Sequence, residues 1–346
     1  MKNITPILAG TVLLTLLSAC NKTEAPGSAR MTPAAKPISF QACIPSTKAE
    51  GGGSSPVSYL DDFGVFAYHT KGLWSESAQP NFMFNQKVIG NGAGSYTYSP
   101  VKYWPGGTDD YVTFFAYAPY ATSSNGISIV SSNTSAGLPK IKYTLPADEA
   151  DKVDLLNATP EENLGPADGK VHFNFEHSLA RIGFLAQIAA NGWDQQNSRL
   201  YINQVTVTAK VPSYATLELG TGEWSDASAP AARRYVRSFG EGDQGFLVKT
   251  NKLRLNSENQ FILLIPADNA EVSIEVRYTL ITADSALPGG KIVNEYTRSS
   301  TQAIPLQSGH TYDFTFLASP AAIVFDAPNV SEWSYIPTDS QTISLS

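Results

Sequence analysis

The chain has 346 residues, with 24 lysines and arginines against 31 aspartates and glutamates, which gives a formal net charge of −7. This balance argues against a nucleic-acid partner, because binding to a phosphate backbone needs clustered basic residues. Charged residues make up only 16% of the sequence, while 26 glycines and 22 prolines are spread along it. That composition favours many short strands joined by turns over long helices.

The first 19 residues have the features of an export signal. Lys2 supplies the positive end, and residues 7–17 form an apolar run that is too short to span a bilayer comfortably. The segment closes on Leu17-Ser18-Ala19 followed by Cys20, which is similar to the lipobox of bacterial lipoproteins. This resemblance implies that Cys20 is acylated, as with palmitate, and becomes the first residue of the mature chain. A plain secretory signal with an unrelated cysteine is the alternative.

The residues after the signal predict a tether. Residues 20–37 are rich in threonine, alanine, proline and serine and lack an apolar period, so they cannot bury enough surface to offset the entropy of ordering. Cys43 is the second of two cysteines and has no intramolecular partner if Cys20 is lipidated. We expect Cys43 to be a small apolar filler in a strand; a reactive thiol is the less favoured interpretation.

Alternation of apolar and polar residues recurs with a period of two and predicts β-strands. The clearest examples are residues 171–175, 272–280 and 312–316, and turn-forming pairs such as Asn91-Gly92 separate the apolar runs. We find no long amphipathic helix in the sequence. Short strands at this spacing predict an all-β chain of β-sandwiches.

The length beyond the tether suits two domains. Residues 161–169 are charged, contain proline and glycine, and lie between two apolar clusters. We therefore predict an N-terminal β-sandwich domain over residues 38–165 and a C-terminal β-sandwich domain over residues 166–346.

A series of short segments along the chain carries a more specific signal. In chain order they are Ile38-Ser39-Phe40, Ser46-Thr47-Lys48-Ala49, Phe63-Gly64-Val65-Phe66-Ala67-Tyr68, residues 153–158, residues 173–182, Tyr214-Ala215-Thr216-Leu217, Gly222-Glu223-Trp224, residues 261–266, Gly309-His310-Thr311-Tyr312 and Val330-Ser331-Glu332-Trp333. Each is weak alone, but their order and spacing resemble the fimbrillin family of Bacteroidetes, the lipoprotein precursors of type V pili. The likeness covers nearly the whole chain.

The resemblance implies both a fold and a route of assembly. The fold is two tandem transthyretin-like β-sandwich domains, and the precursor is exported as an outer-membrane lipoprotein. A trypsin-like extracytoplasmic protease then removes the lipid and the first strand, and the C-terminal strand of another subunit fills the groove. The implied product is a fimbria (pilus) on the cell surface that supports cell adhesion. The implied partners are other fimbrial subunits, in a homo- or heteropolymer, the processing protease and the outer membrane.

Residues 38–48 contain a candidate for the removable strand. Ile38, Phe40 and Ala42 alternate with polar residues, as in a half-buried strand. Residues 46–55 follow and end in three glycines, a composition typical of exposed loops that proteases nick. Loss of the strand would uncover apolar side chains and an unpaired sheet edge, which is a template for another strand.

The candidate cleavage site lies between Lys48 and Ala49. Arg30 and Lys36 could also be cut, but the strand would then stay attached to its domain. The family most often has arginine at the position of Lys48, so an arginine-specific protease would not cut this chain. A solvated loop lysine with no part in processing is the alternative interpretation of Lys48.

Two candidate strands follow residue 317. Residues 341–345 place Ile343 and Leu345 on one face, and we favour this segment as the donor strand of assembly. For residues 322–325 we favour completion of the second sandwich instead. Tip subunits of the family generally lack a free donor strand, so a fully packed tail would indicate a tip role.

No pattern in the chain supports an enzyme, and we assign no catalytic, metal-binding or cofactor-binding residue. The chain has four histidines, of which His172 and His177 differ by an odd number and so face opposite sides of one strand. That is poor geometry for a shared zinc ion. The rival hypotheses are a monomeric surface lipoprotein that binds a glycan or a host protein, and an accessory pilus subunit at the tip or the anchor.

Overall fold

The computed structural model describes residues 35–44, 60–189, 194, 196–240, 245–319 and 322–333. Strands dominate this part of the chain, and its only helical segments are 3₁₀ turns at Glu149–Asp151 and Glu258–Gln260. The predicted all-β class is therefore confirmed. Over the same ranges, no helix has the length and apolar character needed to cross a membrane.

The described residues form 23 strands. In chain order they are β1 Ser39–Cys43, β2 Asp62–Lys71, β3 Met83–Gly90, β4 Tyr96–Thr97, β5 Asp110–Ala118, β6 Ile127–Ile129, β7 Lys140–Thr144, β8 Leu156–Ala158, β9 Glu161–Leu164, β10 Lys170–His177, β11 Ala180–Ile188, β12 Ser198–Val211, β13 Tyr214–Glu218, β14 Trp224–Ser225, β15 Ala231–Ser238, β16 Phe246–Leu247, β17 Leu253–Arg254, β18 Ile262–Leu264, β19 Ala267–Ala283, β20 Lys291–Leu306, β21 His310–Ala318, β22 Ile323–Phe325 and β23 Asn329–Glu332.

The largest sheet has the strand order β1-β10-β8-β5-β2-β3-β4, with β9 beside β5. Its central strands β2 and β5 are antiparallel and buried on both faces. Phe63 and Phe114 belong to the core on one face, whereas Phe66 and Phe115 belong to the core on the other. A strand covered on both faces needs apolar residues at nearly every position, which explains the continuous apolar run at residues 114–118.

A four-stranded sheet, β14-β13-β7-β6, covers the face that carries Phe66 and Phe115. Tyr143 of β7 and Leu217 of β13 are fully buried in that shared core. Two sheets packed face to face in this way form a β-sandwich.

The remaining strands form two further sheets. One has the order β17-β11-β21-β22, with β18 beside β11 and β23 beside β21; the other has the order β15-β12-β19-β20, with β16 beside β12. Phe184 of β11, Phe314 of β21 and Ile274 of β19 lie in one core. The alternation predicted from Val272 is confirmed, since alternate residues up to Tyr278 are buried along β19.

The sheets extend across the predicted domain boundary. The sequence of residues 161–169 predicts a linker, but these residues include β9. This strand pairs antiparallel with β5, beside the pairing of β8 with β5. Beyond them, β10 pairs with β1 and β8 of the large sheet. The division into residues 38–165 and 166–346 thus remains a prediction, and we propose that the chain passes between sandwiches at residues 178–179, between β10 and β11.

Candidate functional site

β1 lies at the end of the eight-stranded sheet and has one ladder neighbour. It runs parallel to β10, from Ser39 opposite Lys170 to Cys43 opposite Asn174. Parallel pairing is slightly less stable per residue than antiparallel pairing, and an edge strand has only one such ladder. Withdrawal of β1 would therefore break no other strand pairing among the described residues.

The alternation of β1 in sequence matches its burial. Ile38, Phe40, Ala42 and Ile44 are each at most 3% exposed, whereas Gln41 between them is exposed. Burying a large apolar side chain contributes about 1.5–3 kcal/mol, so the two isoleucines and the phenylalanine contribute about 5–9 kcal/mol together. The half-buried strand predicted here is present; its removal stays a prediction.

Phe40 occupies a cage of four aromatic rings. Its centroid lies 5.2 Å from that of Tyr98, 5.8 Å from Phe173, 6.0 Å from Phe114 and 6.2 Å from Phe63. The rings of Phe63 and Phe114 meet it edge to face, and the ring of Phe173 is stacked on it. Such pairs contribute about 0.5–1.5 kcal/mol each beyond area burial. We call the surface that β1 covers, with this cage at its centre, the β1 groove.

The far side of β1 is held by a loop instead of a second ladder. The backbone N–H of Ile38 donates to the carbonyl of Lys102 at 2.9 Å, and the Tyr98 hydroxyl donates to the carbonyl of Ile38 at 3.0 Å. The N–H of Trp104 donates to the carbonyl of Lys36 at 3.0 Å. These few hydrogen bonds satisfy backbone groups that a neighbouring strand would otherwise pair.

The sequence analysis missed this covering loop. The available signal was the density of aromatic residues over 96–104, where three tyrosines and a tryptophan occur within nine positions. Tyr96 and Tyr98 pack on the core of the β1 groove. Aromatic side chains with a polar end suit such a position, because the ring covers apolar residues while the hydroxyl reaches a backbone carbonyl.

Cys43 has the environment of a structural residue. It is half-buried at the end of β1, and its Sγ donates to Oδ1 of Asn174 at 3.1 Å. Burial raises the pKa of the Cys43 thiol above its ordinary value. A raised pKa reduces the thiolate fraction at neutral pH, and the thiolate is the reactive form. The geometry therefore fits the predicted role as a strand filler.

The other residues named from the sequence, Cys20, Lys48, Ala49, Ile343 and Leu345, lie outside the described residues. The chain that joins β1 to β2 includes the candidate cleavage site, since β1 ends at Cys43 and description resumes at Leu60.

The C-terminal strands β22 and β23 both pair antiparallel with β21. β22 lies along the end of β21 near Phe316, and β23 lies along the end near His310. β22 therefore adds a strand to the sheet of β21 within the same chain, while the assignment of residues 322–325 to a second sandwich stays a prediction. Beyond β23, the Trp333 ring stacks on the His177 ring with centroids 3.9 Å apart.

Two of the four histidines, His69 and His177, lie beside carboxylates. His177 Nδ1 lies 2.9 Å from Asp154 Oδ2, and His69 Nε2 lies 3.1 Å from Asp110 Oδ1. The close approach of the His69 ring lowers the pKa of Asp110 below its ordinary value. His172 is exposed and His177 is buried, which confirms that they face opposite sides of β10. In the described ranges, no three histidine, cysteine, aspartate or glutamate side chains converge as a metal site.

Comparisons with known proteins agree with the fold and the sequence resemblance. A family model described as fimbrillin-like matches residues 47–333. The chain is 22% identical over 316 residues to the fimbrium subunit Fim1C of Phocaeicola vulgatus, covering 79% of this chain and 82% of that subunit. It is also similar to the crystal structure of a fimbrial protein from Bacteroides vulgatus, with a TM-score of 0.68 and 19% identity, covering 86% of this chain and 99% of the other.

Proposed function

Because the chain belongs to the fimbrillin-like family, we propose that this fimbrial subunit polymerises by strand exchange once a protease has released β1. Family membership makes it a structural protein of the cell-surface fimbrium, with other fimbrial subunits as its partners. The proposed release of β1 and exchange of strands rest on the structure of the β1 groove.

One observation carries the proposal: β1 combines deep burial with a single ladder. Its inward side chains fill the centre of a core, yet only β10 and a few loop contacts hold its backbone. Removing it would expose an apolar groove and the open edge of β10 together. An exposed edge of this kind is completed by the addition of another strand.

The route to the surface follows from the N-terminal sequence. In this proposal residues 1–19 direct export, Cys20 carries the lipid that anchors the precursor in the outer membrane, and residues 20–37 tether it. An extracytoplasmic protease cuts between Lys48 and Ala49. Both cysteines then leave with the released segment, so the assembled subunit has none.

A C-terminal strand from another subunit fills the vacated groove. Residues 341–345 are the candidate from the sequence analysis, since Ile343 and Leu345 alternate as the inward residues of β1 do. They match two of the four buried positions of β1.

Limited trypsin digestion of a soluble precursor, residues 20–346 with Cys20→Ser, tests the proposal. We expect processing to yield high-mass oligomers that survive SDS without heating. Lys48→Gln should abolish their formation, whereas the matched control Lys36→Gln should not, because a cut at residue 36 leaves β1 attached. Mass spectrometry and N-terminal sequencing would locate each cut. Stable monomers after a verified cut at Lys48 would contradict strand exchange as the mechanism.

A further inference from the structure

The sequence Ile-x-Phe-x-Ala occurs three times in the chain. The copies are residues 38–42 in β1, residues 182–186 in β11 and residues 323–327, which begin with β22. A related pattern, Val112-x-Phe114-x-Ala116, lies in the central antiparallel strand β5. The sequence pattern alone therefore does not identify an exchangeable strand, and its place in the sheet must be considered as well.

The first two copies have the same position in the fold. β1 begins the first sandwich and runs parallel to β10, and β11 begins the second sandwich and runs parallel to β21. In β11, Ile182, Phe184 and Ala186 are fully buried, as are their counterparts in β1. Both copies extend to a fourth buried residue, which is Ile44 in β1 and Ile188 in β11. Both copies are therefore strands that run parallel to one neighbour and bury four alternate side chains.

The third copy has no such position. β22 pairs antiparallel with β21, and no sandwich begins with it in the part of the chain that the structure describes. Ile323 is buried, but Phe325 is only half-buried and Ala327 is exposed. The Phe325 ring meets the Phe316 ring with centroids 5.6 Å apart, whereas the Phe40 ring is enclosed by its aromatic cage.

We propose that residues 323–327 of a second copy of this chain fill the β1 groove after β1 is released. This inference rests on the strand exchange proposed above and identifies the incoming strand. Ile323, Phe325 and Ala327 would take the places of Ile38, Phe40 and Ala42 in the same order, so the incoming strand runs parallel to β10. Exchange would bury Phe325 and Ala327 more completely than they are buried within their own chain, which favours transfer.

The groove distinguishes this segment from residues 341–345. The central site is an aromatic cage that accommodates a phenylalanine ring, and the next inward position accommodates an alanine that is 1% exposed. Residues 341–345 offer two aliphatic side chains and no ring. The match of the third copy ends at Ala327, because Pro328 follows and Asn329 stands at the fourth inward position, where β1 has Ile44.

The match also identifies the partner. The same chain carries both the groove and a segment with the side-chain order of the strand that the groove first held. A second copy can therefore complete the first, and the fibre that follows is a homopolymer with heterologous contacts between successive subunits.

The register gives a direct test by disulfide trapping. Gln41 lies opposite His172 in the parallel ladder, so Asp326 of an incoming strand would lie opposite His172. Both residues are exposed, so the variant His172→Cys with Asp326→Cys should leave the core intact. Neighbouring strands are about 4.8 Å apart, and a disulfide joins Cα atoms at about 4.4–6.8 Å. The background is the soluble precursor with Cys20→Ser.

The matched control pairs His172→Cys with Ser344→Cys, which would lie opposite each other if residues 341–345 were the donor strand. After processing and mild oxidation, we expect a ladder of covalent multimers on non-reducing gels for the residue 326 pair, at least tenfold above the residue 344 pair. The uncut precursor should give none. A ladder for the residue 344 pair alone, or oligomers with no ladder for the residue 326 pair, would overturn the inference while leaving strand exchange intact. Failure of the processed protein to form oligomers at all would overturn both.

Discussion

Replacement of Phe40 by alanine separates the two roles of β1. In the precursor the ring fills the cage of Tyr98, Phe173, Phe114 and Phe63 and is 3% exposed. Removing it leaves a cavity that close-packed neighbours fill only in part, and such a change costs about 3–5 kcal/mol. We therefore expect Phe40→Ala to lower the free energy of unfolding of the precursor by about that amount.

The same change should have the opposite consequence for assembly. Once the chain is cut at Lys48, β1 is held only by non-covalent contacts, and losing about 3–5 kcal/mol weakens its hold by roughly two to three and a half orders of magnitude. If β1 must leave before another strand binds, processed Phe40→Ala should polymerise faster than wild type. The final yield should be unchanged, because the altered residue is absent from the product.

Urea unfolding of the uncut precursor measures the first effect, and light scattering after trypsin measures the second. Gln41→Ala is the matched control, since this side chain is exposed on the same strand and should change neither quantity by more than a few tenths of a kcal/mol. A precursor stability within about 1 kcal/mol of wild type would refute the packing argument. Slower polymerisation of cleaved Phe40→Ala would refute the view that β1 is an obstacle to assembly.

Three further outcomes can be measured separately. Phe325→Ser should reduce polymer yield at least tenfold at equal extent of processing, whereas the control Val324→Ser, at an exposed position, should not. Gel filtration of both processed variants measures the difference. His69→Phe should make the precursor unfold at a higher pH in an acid titration followed by near-ultraviolet circular dichroism. The folded pKa of Asp110 is held low by His69, so its stabilisation is present above the unfolded pKa and is lost as pH falls through the folded pKa. Gly183→Ala should lower the free energy of unfolding, measured by urea denaturation, by about 1–3 kcal/mol because its Cβ would overlap neighbouring side chains, whereas Gly106→Ala, in open space, should be neutral.

Local patterns in the sequence predicted the strands well, because side-chain alternation is set by the geometry of a single strand. β10 shows this in full: Val171, Phe173 and Phe175 are buried and the residues between them are exposed. The same holds for β1, where Ile38 and Phe40 are buried. Periodicity needs no knowledge of the partner strand.

Pairing between distant strands was not predictable in the same way. Cys43 contacts Asn174 across 131 positions, and nothing near either residue specifies that neighbour. The strand β9 was not predicted for a related reason, since charged and turn-forming residues such as those of 161–169 occur at a solvated sheet edge as well as in a linker. Similarly, β13 follows the proposed crossing at residues 178–179 but pairs with β7 of the first half. These choices depend on tertiary packing, which overrides local preference.

The contrast between β1 and β11 shows that the ease of removing a strand depends on how many of its edges are paired, and not on its sequence alone. Both strands carry Ile-x-Phe-x-Ala-x-Ile, and both bury it fully. β11, however, pairs with β21 on one edge and with β17 and β18 on the other. β11 is also closely packed at Gly183, because Asp313 and Phe261 lie so near its backbone that a Cβ atom would overlap them. A cut on either side of β11 would leave it held by ladders on both edges. A cut within residues 45–59 would leave β1 with one ladder, so we expect the proposed exchange at β1 and not at β11.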